Sequence, residues 1–422
     1  MRILSIPRRF VRKEWGGTET VVLETGKRLL ALGHDTSIWT STIFSRLPEE
    51  VMEGVPILRF AYSYPVLGLT AEGRNQLDMK GGNLFSLGLM RALRKEKRID
   101  LIHLHTMGRL GGIARREALR RGIPYVVSLH GGFLDVPQSQ KDDLAAPLKN
   151  TLEWGKVLGL WVGSKRVLQD AAAILCVSRA EKAKIQARFP EKKVLFLPNG
   201  VDCARFSQGD GPRFRKKWNI PLHARVLLLV GRIDPQKNQM AAVGLLERLR
   251  KGFPRLQLVL AGPVTDPRYG GRLRTAIRER GLEESVTLIE GLPPDSPDLV
   301  DAYHAADLFL LSSIHEPFGI VILEAWAAGL PVVAARVGGI PSFVDEKTDA
   351  LLFNPGDEEA LTACVRECLE SPSTARSLGE AGRRKARAEY DWDRVTRHLI
   401  EVYEGVVRDS GRRPMTMQGK RG

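Results

Sequence analysis

Short apolar runs recur along the chain, and the stretches between them carry helical periodicity. In the first half the runs fall at Arg2–Ile6, Thr36–Thr40, Leu101–His105, Tyr125–Leu129, Ile174–Ser178 and Val194–Leu197. A second series follows at Val226–Val230, Gln257–Ala261, Val286–Leu288, Leu308–Ser312, Pro331–Ala335 and Ala350–Phe353. Runs that alternate with helical stretches in this way predict the strands of a parallel sheet. Thr20–Leu32 reads as an amphipathic helix closed by Gly33, so strands and helices alternate and an α/β fold is expected. Two such series of similar length predict two Rossmann-like domains. The stretch Asp202–Leu222, with Gly209, Gly211, Pro212 and Pro221, reads as their junction.

One segment carries more chemistry than the others. In HEPFGIVILEAWAAGLPVV, His315 to Val333, two carboxylates, Glu316 and Glu324, flank a Pro-Phe-Gly turn that opens an apolar helix. Pro317 suits a first helical turn because its missing N–H would be unpaired there. A helix starting near Pro317 would aim the amides of Phe318, Gly319 and Ile320, with the positive end of its dipole, at a docked anion. Glu324 would then lie about two turns in, roughly 10–12 Å along the axis. That separation is too long to share a proton and suits the two ends of one extended ligand.

Other loops add candidates. Gly231-Arg232-Ile233-Asp234-Pro235-Gln236-Lys237-Asn238 follows the first strand of the second series and places two cations, Arg232 and Lys237, at a carboxyl strand end, where α/β sheets bind ligands. Glu14-Trp15-Gly16-Gly17-Thr18-Glu19 lies between the first strand and the first long helix, where Gly16 and Gly17 allow close backbone approach and a helix start attracts phosphate. It is not the G-x-G-x-x-G fingerprint of dinucleotide enzymes, which argues against a dehydrogenase. His130 ends a strand and is followed by Gly131 and Gly132; strand-end histidines are often merely packed, but the glycines leave room for a ligand. His103 and His105 alternate on Leu101–His105 and are weaker candidates; at most one of them is expected to face a ligand cleft, and neither is assigned. Asp391-Trp392-Asp393 has the form of a metal-binding D-x-D but opens the last helix, where acids cap, so no metal site is expected.

The segment around Glu316 and Glu324 resembles the E-x7-E signature of retaining glycosyltransferase family 4 (group 1). Arg232 and Lys237 meet that family's R-x4-K pattern, and Gly16-Gly17, His130, Pro198–Asp202 and Glu290-Gly291-Leu292 match it in order from Arg2 to about Val407. The resemblance implies a GT-B fold: two Rossmann-like domains facing across a cleft, with the C-terminal helix crossing back. The expected domains are residues 1–204 for the acceptor, joined by helix 393–408, and 205–392 for the nucleotide sugar, with 409–422 a disordered basic tail. It implies sugar transfer with retention from a nucleoside-diphosphate sugar to an acceptor hydroxyl, with no cofactor and no metal. By resemblance Glu316 holds donor-sugar hydroxyls, Glu324 the ribose hydroxyls, Gly291 the base through its backbone, and Arg232, Lys237 and the Gly16-Gly17 loop the diphosphate. His130 would sit near the reacting groups.

Composition bounds these expectations. The chain has 422 residues, 43% hydrophobic content and no apolar run long enough for a membrane helix or signal peptide; its four cysteines give no disulfide framework. A cytoplasmic protein is expected. The net charge of +15 lies mostly in residues 1–200, which hold 32 Lys and Arg against 19 Asp and Glu. This predicts an anionic partner such as a phospholipid surface, a lipid diphosphate or nucleic acid, or else only a solubilising surface with a basic tail. Leu144, Leu148, Leu152, Trp154, Val157, Leu158, Leu160 and Trp161, interleaved with Lys141, Lys149, Lys156, Lys165 and Arg166, fit a membrane-surface helix, an acceptor-pocket wall or a core-facing helix equally. This least family-like stretch suits acceptor choice, and envelope glycan or glycolipid synthesis on the inner membrane face is the expected setting. The rival readings are a nucleotide-sugar epimerase or hydrolase, a silent nucleotide-sugar sensor and a basic nucleic-acid-binding protein, the last without any recognised binding module.

Overall fold

In a computed structural model of the chain, residues 1–131, 146–149 and 151–411 are described, with Lys13 described by its backbone alone. Gly132, Lys141, Leu144 and the basic tail residues Arg412, Arg413, Lys420 and Arg421 lie outside the described residues. The chain divides into two units, Met1–Pro198 with Thr396–Gly422, and Asn199–Val395.

All twelve apolar runs form strands, shifted by no more than two residues at either end. In the first unit they lie side by side as Val194–Phe196, Ala173–Cys176, Tyr125–Leu129, Leu101–Leu104, Arg2–Ile6 and Asp35–Ser41, all parallel. Val55–Phe60 adds parallel to Asp35–Ser41, and Glu49–Met52 adds antiparallel at the edge. The apolar pattern does not mark these last two strands. They are joined by Glu53 and Gly54, both at positive φ, the two-residue turn whose twist matches a hairpin. Apolar clusters cover both faces of this sheet: Leu4, Ile6, Leu104, Val127 and Leu129 belong to one, Val22, Ile38, Val55 and Ile57 to the other.

The second unit is a six-stranded parallel sheet. Its strands Arg225–Val230, Leu256–Ala261, Val286–Ile289, Leu308–Leu311, Val332–Ala335 and Leu351–Phe353 lie in the spatial order third, second, first, fourth, fifth, sixth. In such a sheet the chain reverses its direction of winding between the first and fourth strands. The crossovers on either side diverge there and leave a crevice at the carboxyl strand ends. The corresponding reversal in the first unit lies between Arg2–Ile6 and Leu101–Leu104.

Helix starts are set by short polar side chains. Thr70, Ser86, Ser178, Asp266 and Asp357 each accept a hydrogen bond from an amide in the first turn of the following helix. Asp391 likewise accepts from the Asp393 amide at 2.9 Å, so the D-x-D caps the helix Trp392–Asp409.

The helix Ile320–Ala328 is nearly all apolar and sinks into the second unit, with Ile322, Leu323, Ala325 and Trp326 buried. Trp326 donates from its indole to the Asp349 carbonyl at 2.9 Å. Across from it the helix Pro372–Lys385 turns glycines inward: a Cβ at Gly379 would lie 2.3 Å from the Gly329 carbonyl oxygen, and one at Gly382 would lie 2.2 Å from the Trp326 ring. Gly382→Val should therefore overpack this contact and destabilise the second unit by about 1–3 kcal/mol. That lowers its melting midpoint by about 2–4 °C per kcal/mol; an unchanged midpoint in calorimetry would show that the two helices separate freely.

Candidate active site

The second unit assembles its polar groups at the winding reversal. Lys237, on the loop after Arg225–Val230, places its ammonium on a carboxylate oxygen of Glu316, on the loop after Leu308–Leu311; the two are 79 residues apart in the chain. Their side chains are only 12% and 10% exposed. The same oxygen, Oε2, lies 3.4 Å from the Ser313 hydroxyl, while Oε1 takes no hydrogen bond among the described residues. The Lys237 amide donates to Asp234 Oδ1 at 3.1 Å, and the Thr265 hydroxyl donates to Oδ2 at 3.2 Å. Arg232 reaches Asp234 at 3.2 Å but leaves its side chain half exposed. Fully buried Gln239 ties the loop down by donating to the Arg232 carbonyl at 2.8 Å.

Glu316 is fixed from behind. Its carbonyl accepts from the Gly339 amide at 3.1 Å, and any Cβ at Gly338, whose φ is +55°, would fall 1.9 Å from that oxygen. Only a glycine lets the loop after Val332–Ala335 approach so closely. Sequence reasoning missed Asp234, Gln239, Ser313 and the Gly338-Gly339 pair. The last carried a visible signal, paired glycines just beyond a strand.

The helix start differs from expectation. Pro317 does not enter the helix: Gly319, at φ +100°, is the N-cap, and the first helical residue is Ile320. The chain must bend through a left-handed residue to turn from Glu316 into the helix, and the glycine supplies that bend. The opening amides are those of Ile320 and Val321, the Ile322 amide already bonding to the Gly319 carbonyl at 2.9 Å. Phe318 precedes the cap and buries its ring, stacked 4.7 Å from Phe343. Glu324 thus lies about one turn into the helix, not two, roughly 6–8 Å along its axis. Its carboxylate accepts from the Tyr303 hydroxyl at 2.5 Å, and burial raises its pKa above the usual carboxylate value, opposed by that bond and by nearby Arg205. Gly291, at φ +105°, turns the chain beyond Val286–Ile289, and a Cβ there would meet open space.

In the first unit, Gly16 caps the helix Gly17–Ala31, so the glycine pair stands at a helix N-terminus. Glu19, in the first turn, is buried and held protonation-prone by desolvation, with Arg9 3.6 Å away opposing the shift. His130 is joined to a second histidine of the neighbouring strand: its Nε2 lies 3.0 Å from His105 Nδ1, with ring centroids 5.2 Å apart and planes inclined by 21°, so the rings meet edge to edge, as an N–H···N hydrogen bond requires. His103 lies behind, its ring 3.9 Å from that of His105, with Tyr403 hydroxyl at 2.6 Å and Ser128 hydroxyl at 2.7 Å. The alternation of His103 and His105 puts both on one sheet face, and parallel pairing of Ile102–Leu104 with Tyr125–Val127 brings His130 alongside.

Burial disfavours charge on all three rings, lowering His103 to about 3, His130 to about 4, and His105 well below the ordinary imidazole value. A base whose folded pKa is depressed contributes full stability above its unfolded pKa, near 6.5, and loses it as pH falls toward the folded value. Unfolding at pH 5.5 should accordingly take up protons, approaching three per molecule from these rings and about one fewer in His103→Asn. Calorimetry in buffers of different ionisation enthalpy measures this, and equal uptake by both proteins would place the His103 proton in the folded state.

The chain matches two family models, that described as glycosyltransferase family 4 over residues 15–205 and that described as glycosyl transferases group 1 over residues 210–385. It is 29% identical to a D-inositol 3-phosphate glycosyltransferase of Salinispora tropica, over 93% of this chain and 81% of that protein. A namesake in Actinosynnema mirum is also 29% identical, over 93% of each chain. Among solved structures it superposes on sucrose-phosphate synthase from Thermosynechococcus elongatus with a TM-score of 0.72 at 22% identity, covering 97% of this chain and 99% of that one. It also superposes on Anabaena HepE in complex with UDP-glucose, with a TM-score of 0.73 at 19% identity, covering 96% and 100%. With two Rossmann-like units and the paired loops of its second sheet, the chain belongs to the group 1, family 4 glycosyltransferases of the GT-B fold.

Proposed function

We propose that this glycosyltransferase moves a sugar, with retention at the anomeric carbon and without a metal, from a nucleoside-diphosphate sugar to an acceptor hydroxyl. The observation that carries this reading is the Lys237–Glu316 pair at the winding reversal of the second sheet. A cation and a carboxylate that satisfy each other in a nearly dry site can exchange partners with a ligand that carries both phosphate charge and hydroxyls. Lys237 and Arg232 would take the diphosphate, aided by the amides of Gly319, Ile320 and Val321, while Glu316 takes sugar hydroxyls. Glu324 would hold the ribose and the Gly291 backbone the base. The first unit would offer the Gly16-Gly17 helix start to phosphate charge and His130 to the reacting sugar. In the chemical step the glycosidic C–O bond to phosphate breaks and a C–O bond to the acceptor oxygen forms on the same face. The departing phosphate oxygen takes the hydroxyl proton, so the balance needs no covalent protein nucleophile. Uridine is the first base to test, because HepE is solved with UDP-glucose.

Glu316→Gln should lower turnover by roughly 10²–10³, because it removes a charged acceptor from the transition-state contacts. Melting should change much less. Lys237→Ala and Arg232→Ala should each weaken binding of free nucleoside diphosphate, read by calorimetry. Wild-type turnover in Glu316→Gln, or unchanged nucleotide affinity in both cation variants, would sink the assignment. Product analysis on the same panel separates transfer from epimerisation or hydrolysis.

The acceptor is proposed to be a lipid-linked or envelope glycan precursor met at an anionic membrane surface. The helix Gly155–Val162 is inverted relative to an ordinary surface helix. Its small residues Gly155 and Gly159 face inward, and a Cβ at Gly155 would strike the Arg109 guanidinium. Val157 and Leu160 are left 70% and 85% exposed, beside half-exposed Trp154 and Trp161. Lys156, Lys165 and Arg166 are exposed on the same short stretch, and the Arg116 guanidinium lies 4.5 Å over the Trp161 ring. An apolar face rimmed by cations complements an anionic bilayer, at about 1 kcal/mol per nearby basic residue. Co-sedimentation with phosphatidylglycerol-containing vesicles should be strong at low salt, weak at raised salt and weakened in Leu160→Asp. Equal binding to neutral vesicles, no binding at low salt, or self-association that Leu160→Asp abolishes would overturn it. A free phosphorylated inositol, supported by the names of the relatives, is then the acceptor to test.

A further inference from the structure

We infer that His105 dictates which nitrogen of His130 carries the proton, so that His130 meets its ligand as a hydrogen-bond donor and not as a base. Two neutral arrangements satisfy the 3.0 Å contact between His105 Nδ1 and His130 Nε2. In one, His105 donates from Nδ1, its own Nε2 is bare, and His130 carries its proton on Nδ1. In the other, His130 donates from Nε2, His105 carries its proton on Nε2, and His130 Nδ1 is bare.

The surroundings of His105 Nε2 decide between them. This atom is buried and has no hydrogen-bond partner among the described residues. The nearest ring, His103, cannot serve, because a hydroxyl already occupies each of its nitrogens, Tyr403 on one and Ser128 on the other. It also meets His105 face on, with ring centroids 3.9 Å apart and planes inclined by 37°, where no nitrogen lone pair points. An N–H at this position would be an orphaned buried donor, the rarest defect in folded proteins; a bare nitrogen there is tolerated more readily. The first arrangement follows. His130 Nε2 is then occupied as an acceptor, and the nitrogen that finds no partner among the described residues, Nδ1, carries a hydrogen.

The consequence is chemical. A ring whose one lone pair is engaged has none to receive a substrate proton, and protonating His130 at Nε2 would force His105 into the disfavoured arrangement. Depressed basicity of both rings accords with this. What His130 can offer is an N–H aimed at an oxygen of the substrate. His105 acts only through His130 and is a positioning residue. The identity of the oxygen rests on the glycosyl-transfer reading, whereas the position of the proton does not.

The test is nitrogen-15 NMR of histidine-labelled full-length protein at pH 7.5, with the three rings assigned by single substitutions. The expected pattern has His130 protonated at Nδ1 in the absence of any ligand. His105→Phe should release His130 into a mixture of the two tautomers, while His105→Asn, whose amide nitrogen can stand where Nδ1 stands, should restore the Nδ1–H form. In transfer assays His105→Phe should lower kcat roughly tenfold, the worth of one aligned hydrogen bond, with His105→Asn recovering most of it. His130 protonated at Nε2 in the unsubstituted protein would overturn the inference, as would an unchanged His130 spectrum in His105→Phe. If His105→Phe fails to fold, the spectra of the unsubstituted protein and of His105→Asn still decide it. Loss of all transfer activity with the Nδ1–H form in place would count against the transferase reading and leave the tautomer standing.

Discussion

Parallel strands that wind in opposite directions from a common centre must send their crossovers apart, and everything placed at this second unit's site depends on that divergence. Arg225–Val230 and Leu308–Leu311 are neighbours in the sheet, joined by the registers Leu227 to Leu308 and Leu228 to Phe309. Because their following loops cannot cover each other, Lys237 from one and Glu316 from the other meet. Neither residue could be brought there by its own element. The rigid part of the arrangement is supplied elsewhere, by Asp234 and Gln239 under the cationic loop and by Gly338 and Gly339 under Glu316.

An ion pair at this depth is a poor means of holding a protein together. Taking both charges out of water costs about as much as their attraction returns, and apolar replacements in such places are often neutral or stabilising. The second unit already has a large apolar interior, from Leu227, Leu228 and Leu229 through Phe309 and Leu310 to Trp326, all fully buried. This suits the proposed reading, in which the two charges wait for a ligand and are not structural cement. Glu324 differs. Its partner is a hydroxyl, and burial pushes it toward the neutral form, so it costs less to keep and has less charge to offer.

Much of this was legible in the sequence because it depended on local chemistry. The parallel strands read as short, mostly apolar runs, Leu308–Leu311 and Val332–Ala335 the clearest, and the spacing of Arg232 from Lys237 and of Glu316 from Glu324 is a matter of short segments. The misses have a common cause, namely packing between distant segments. Glu49–Met52 opens on two glutamates, Val55–Phe60 is interrupted by Pro56 and Arg59, and the two turn through Glu53-Gly54, a weaker hairpin signal than Asn-Gly or Asp-Gly. The preference of proline for a first helical turn points to a start at Pro317, but Gly319 is needed to bend the chain away from Glu316, and a left-handed cap excludes residues before it from the helix. His105 could not be chosen over His103 until the neighbouring strand showed which of them His130 would meet.

The same contrast explains the helix Gly155–Val162. Its composition allowed a core face, an acceptor wall or a membrane face, since hydrophobic spacing alone does not say which side is turned in. What decides is the size of the residues rather than their polarity. Gly112, on the helix Gly108–Arg120, has room for no side chain beside Val162 and Ser164, and Gly155 has none beside Arg109. Two helices that touch through glycines are locked in rotation, because turning either would drive a branched side chain into the backbone of the other. Burying Leu160 would require expelling Gly159 and Gly155 from the contact and leaving Arg109 without its seat against Asn83 and Glu153. The outward apolar face is thus a consequence of close packing on the inward one, and it persists whether or not anything covers it.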